Sequence, residues 1–118
     1  MDRKPDFTDE DIGMQAFHLR RGQAVEKAIA RIRQGLGNAF FKLSRDEVEL
    51  LEWLLGEMWS MVGFFEWEEL KFSLLTFEDV EKLLAEARKV MAHEKLGVEA
   101  FTDAIEIVRK AGERTEKA

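Results

Sequence analysis

Cysteine and tyrosine are absent from this 118-residue chain, and proline occurs once. Without cysteine there is no disulfide framework and no thiolate metal site, and the chain fits a reducing, cytoplasmic setting. Amides are scarce as well. Three Gln and one Asn stand against 18 Lys and Arg and 24 Asp and Glu, a composition shared with heat-adapted proteins. No run reaches about 18 uncharged apolar residues, so no membrane span is expected. The opening MDRKPDFTDEDIG carries no apolar signal-peptide core. Strand signals are missing too: no segment alternates apolar with polar residues, and no Asn-Gly or Asp-Gly hairpin turn occurs.

What is present is helix. The chain is 46% hydrophobic and 36% charged, enough apolar material for a core under a highly charged surface. TDED at 8–11 reads as a capped helix start, followed by Ile12, Ala16 and Leu19 at helical spacing. Gly22 interrupts this pattern. It resumes in a new phase at Val25, Ile29, Ile32 and Leu36, predicting one kinked helix or two short ones that end at Gly35 or Gly37. SRDE at 44–47 is a capping box for a long helix to about Lys71. TFED at 76–79 starts a third, with Phe77, Val80, Leu84, Ala87 and Met91 on one stripe, stopped by Gly97. The fourth buries Val98, Phe101, Ile105 and Val108 and ends at Gly112. The expected architecture is all-α, a four- to five-helix bundle with a long central aromatic helix. Its single domain, 8–112, lies between a flexible N-terminus, 1–7, and a frayed polar tail, 113–118.

The aromatic run LLEWLLGEMWSMVGFFEW, 50–67, decides the functional reading. Turned at about 100° per residue, Val48, Leu51, Leu55, Met58, Val62 and Phe65 form a core seam, widened by Leu50, Leu54, Trp59 and Met61. A second seam runs through Trp53, Glu57, Ser60, Phe64 and Trp67, with the small residues Gly56, Ser60 and Gly63 between the two. A helix apolar on more than one side is either central in its own bundle or has one face against another chain. The leading expectation is a second copy, with Trp53, Gly56, Ser60, Gly63, Phe64 and Trp67 at a homodimer interface. The alternatives are intrachain core and a pocket for an apolar ligand or a partner's peptide. A membrane surface fits poorly, because Glu49, Glu52, Glu57, Glu66, Glu68 and Glu69 would be repelled by anionic lipid.

Charge is unevenly spread. The net charge is −6, yet residues 14–45 carry seven bases against Glu26 alone. Within the basic segment 18–45, Arg20, Arg21, Lys27, Arg31 and Arg33 could neutralise phosphates, which makes a nucleic-acid-binding accessory protein the second reading. Chemistry has few footholds. No Ser lies in a G-x-S-x-G elbow, no metal-binding His motif exists, and no Gly-rich phosphate loop is present. The E-x-x-E pairs Glu49/Glu52, Glu66/Glu69 and Glu78/Glu81 are sparser than the acid clusters of all-α pyrophosphohydrolases that hold magnesium. RKVMAH places Arg88 and His93 as R-x4-H near the end of the third helix. In this motif and in its small all-α character the chain resembles the HEPN ribonucleases. That resemblance implies RNA cleavage by an Arg and a His, usually paired across a dimer. The pattern departs at Lys89, where those enzymes often carry Asn or Asp.

The expectation drawn from these residues is a soluble, cytoplasmic interaction or accessory module rather than an enzyme. It self-associates through its second helix and needs no metal or cofactor. An HEPN-like ribonuclease using Arg88 and His93 is the third reading.

Overall fold

The structure, a computed structural model, describes residues 9–117, with side chains over 14–114. All regular structure in this range is helical: α1 (Asp9–Leu36), a 3₁₀ segment (Gly37–Lys42), α2 (Arg45–Met61), α3 (Phe64–Glu69), a second 3₁₀ segment (Phe72–Leu74), α4 (Phe77–Met91) and α5 (Gly97–Lys117). No strand occurs among the described residues. The capped start expected at Thr8 and the terminal segment 1–7 lie outside them.

Both internal capping boxes form. Ser44 Oγ accepts from the Glu47 backbone N–H at 3.1 Å, and Glu47 Oε1 accepts from the Ser44 N–H at 2.9 Å. That backbone bond, together with the nearby Arg88, holds the Glu47 carboxyl below its ordinary value. Thr76 and Asp79 make the same reciprocal pair at the start of α4. These contacts satisfy N–H groups that a helix start otherwise leaves unpaired.

Other boundaries differ from the sequence reading. Gly22 does not break α1: one interior glycine costs about 1 kcal/mol, which packing along a long helix outweighs. The expected helix 44–71 divides, because Val62 and Gly63 are both extended (ψ 154° and 158°) and Gly63 caps a new, short α3. Gly97 opens α5 rather than stopping the helix before it. α4 already ends at Met91, and His93 just beyond it takes the left-handed conformation at φ 58°. Gly112, expected as a stop, is buried inside α5, which continues to Lys117.

Side-chain pairings give the topology. Arg21 meets Glu57 and Phe17 meets Trp59, so α1 and α2 are antiparallel. After α2 the chain doubles back. Phe64 shares a groove with Arg20, and Ser73 lies against Gly35, so segment 64–74 runs parallel to α1 along its other flank. A β-carbon on Gly35 would sit 2.1 Å from the Ser73 carbonyl oxygen, so only glycine permits this approach. Arg88 pairs with Glu47, which sets α4 antiparallel to α2; Arg114 pairs with Asp79, which sets α5 antiparallel to α4. The turn between α4 and α5 is tied by Lys95, which bonds Glu86 and Asp103.

The core is one continuous cluster fed by every helix. Ile32, Leu51, Leu54, Leu55, Met58, Phe72, Val80, Leu83, Leu84 and Val108 are fully buried. Met91 and Val98, expected on core stripes, are exposed at the ends of their helices. The protein is elongated, 65 × 32 × 26 Å, with a radius of gyration of 16.5 Å. A compact chain of this length would have about 13.5 Å. α1 accounts for much of the excess. It is about 42 Å long, and its register against α2 leaves roughly its first turn and a half beyond the end of α2 at Met61.

Candidate interaction surface

The break at Val62–Gly63 changes which aromatics the core takes. Past the break, the expected second seam loses its helical phase. Trp67 turns inward, is 5% exposed and lies with its ring 5.0 Å from Phe72. Phe65, expected in the core seam, is instead 80% exposed. Phe64 stays outside, at 68% exposure and 5.6 Å from the Phe65 ring. Trp53 is partly buried and packs edge-on against Phe101 of α5 at 5.5 Å. So of the three aromatics in the second seam, Trp53 and Trp67 pack on the core of the chain and Phe64 does not.

The small residues are partly used as well. Gly56 is buried under the Arg21 side chain; a β-carbon there would lie 2.7 Å from Arg21 Nε. The close helix approach that Gly56 permits is therefore that of α1. Arg21 continues over Gly56 to Glu57 at 2.7 Å, both side chains about one-third exposed or less. Ser60 Oγ donates to the Gly56 carbonyl at 3.1 Å, and Gly63 is spent on the α3 cap.

What remains uncovered is one connected apolar end. Phe17 of α1 rests on Trp59 at 5.1 Å. Trp59 and Phe64 line the same groove, and Phe65 adjoins Phe64. Met14, one turn before Phe17, is 56% exposed, and Met61 at the end of α2 is 42% exposed. The cause is the register. The bundle-facing side of α1, which carries Ile32, Val25, Phe17 and Met14, continues past the point where α2 stops. The sequence holds a signal for this, since Gly63 is followed by Glu66 at the third helical position, the spacing of a new helix start.

The five basic residues separate in the same way. Arg21 is committed to Glu57, and Arg33 lies over the rings of Phe40 and Phe41 at 5.8 and 5.3 Å. Arg20, Lys27 and Arg31 remain on one stripe of α1, exposed and with no ion pair among the described residues, beside a groove floored by Trp59, Phe64, Trp67 and Phe72. Most other cations are paired: Arg45, Lys82, Arg88, Lys89, Lys95, Arg109 and Arg114 each have a carboxylate partner.

Arg88 and His93 make no hydrogen bond to each other. The Arg88 guanidinium is bound by Glu47 at 3.3 Å, and His93 sits in the turn after α4. On the opposite flank of α1 a groove of about 680 Å³ opens against α2, lined by His18, Glu26, Glu49, Glu52 and Trp53 among others. No group of three or more His, Asp or Glu among the described residues is placed to hold a metal ion. No described helix is long and apolar enough to cross a membrane. Compared with protein families, with curated proteins and with solved structures, the chain matches none.

Proposed function

We propose that this chain is a helical interaction module that self-associates, and that the contact centres on Phe17, Met61, Phe64 and Phe65 rather than on Trp53 and Trp67. The observation that supports this reading is the connected apolar end where α1 outruns α2, with Phe64 and Phe65 at 68% and 80% exposure. Covering a large apolar side chain is worth about 1.5–3 kcal/mol, so leaving four together in water forgoes several. A second copy offers the same uncovered end, and two-fold closure covers both at once.

Light scattering on the full chain at tens of micromolar tests this directly, with a dimer expected and a monomer fatal to the idea. Phe64→Glu with Phe65→Glu should give a folded monomer of unchanged helicity. Trp53→Glu should instead lower thermal stability, because it removes the packing on Phe101.

A further inference from the structure

We infer that the groove between α1 and segment 64–74 takes single-stranded nucleic acid, with phosphates on Arg20, Lys27 and Arg31 and a base stacked against Trp59 and Phe64. The groove lies within one chain, so the inference does not rest on self-association. Of its lining, Phe64 alone belongs to the proposed dimer contact. At 100° per residue, Lys27 and Arg31 fall within about 20° of Arg20, so the three cations line one edge of α1 over about 16 Å of its axis. All three are exposed, and none has an ion pair among the described residues. Gln23 lines the same groove and adds an uncharged donor. Glu26 is the one carboxylate of α1 beyond residue 13, and it lines the groove on the opposite flank.

The cations stand beside aromatic rings. Trp59 is half-buried and Phe64 is 68% exposed, and both line the groove. A row of cations can track a phosphate backbone, while unpaired bases stack on rings next to it. A duplex keeps its bases stacked on one another and would leave these rings unused. An acidic helix would also satisfy the cations, but a helix is about 10–12 Å across. The groove encloses about 170 Å³, room for a flat ring rather than for a helix. The net charge of −6 opposes an anion only weakly here, because charges more than about 8 Å away are largely screened at physiological salt. Glu68 is the single carboxylate in the lining, and it works against binding.

The test is fluorescence anisotropy of the full chain with labelled oligo-dT and oligo-U strands of about 12 nucleotides. At least one should bind in the micromolar range. Its log K should fall against log salt with a slope near −2, since each neutralised phosphate of a single strand contributes about −0.7. Lys27→Glu with Arg31→Glu should weaken binding at least tenfold and flatten the slope. Phe64→Leu keeps the apolar bulk and loses the ring, so it should weaken binding at least threefold with the slope unchanged. Glu68→Gln should tighten it. Helicity by circular dichroism should be unchanged in all three variants. No binding by either strand would overturn the inference, as would binding that survives the charge reversal. A duplex of the same length bound as tightly would remove the stacking and overturn it too. Polyglutamate that displaces the strand at equal charge concentration would assign the groove to an acidic protein segment and overturn it as well.

Discussion

Asp79 offers the sharpest test of how the bundle is held. It is the buried charged residue of the described core, at 3% exposure, and it does two jobs. Its Oδ2 accepts from the Thr76 backbone N–H at 2.9 Å, which closes the α4 capping box. Both of its oxygens accept from Arg114 of α5, at 2.6 and 3.4 Å. Burial pushes its pKa upward. The Arg114 hydrogen bonds, the Thr76 backbone N–H and the Thr76 hydroxyl outweigh that, and the carboxyl sits below its ordinary value. Asp79→Ala removes the cap contact, worth about 1 kcal/mol. It also removes a hydrogen bond to a charged group, worth about 1.5–3 kcal/mol, taken at the low end because the Arg114 side chain is 55% exposed. The loss is then about 2.5 kcal/mol, or a fall in Tm of roughly 10 °C for a chain of this size. Arg114→Leu keeps the cap and should lower Tm less. The double variant should fall short of the sum of the two. The pH sign follows from the depressed carboxyl: its contribution is complete above the unfolded pKa near 4 and fades as pH falls through the lower folded value. Thermal melts by circular dichroism at pH 7 and at stepwise lower pH, for wild type and Asp79→Ala, should converge in acid. A difference in Tm that is constant with pH, or Arg114→Leu and Asp79→Ala effects that simply add, would refute this account.

Three further outcomes are expected. Gly35→Ala and Gly22→Ala should move stability in opposite directions: the first loses about 2–3 kcal/mol by clashing with the Ser73 backbone, while the second, with nothing near its β-carbon, gains up to about 1 kcal/mol. Urea unfolding measures both, and a shared sign would contradict the packing described. His93→Gly should stabilise by about 1 kcal/mol because it relieves a left-handed non-glycine residue, visible as a higher urea midpoint with unchanged slope. Ser44→Ala should cost about 1 kcal/mol in the same assay by removing the α2 cap, and an unchanged midpoint would count against the capping role.

The helix starts were the most legible feature. Ser44–Glu47 and Thr76–Asp79 combine a hydroxyl with a carboxylate three residues on, a local geometry that needs no tertiary knowledge. Glycines misled in both directions. Gly22 and Gly112 stay helical because packing on either side outweighs a cost of about 1 kcal/mol, and Gly97 serves a start rather than a stop. The aromatic run was legible in composition and hidden in phase. Apolar periodicity carries straight across 61–64, so only the backbone turn at Val62 and Gly63 decides that Trp67 enters the core and Phe65 leaves it. The basic stripe was legible as a charge excess. That Arg21 and Arg33 drop out of it depends on Glu57 and on Phe40 and Phe41. Of these partners, Glu57 is distant in sequence, out of reach of any local pattern.

The overhang of α1 has a dynamic consequence. One helix begins at the uncovered end and finishes in the core, with Met14 more than half exposed and Ile32 fully buried. Its amides therefore span the range of opening free energies that separate helices usually divide between them. Amide exchange on the monomer should run as a gradient along α1, fast near Met14 and close to the global unfolding rate near Ile32. The distance between those limits is a measure of how much of this helix the chain leaves for something else to order.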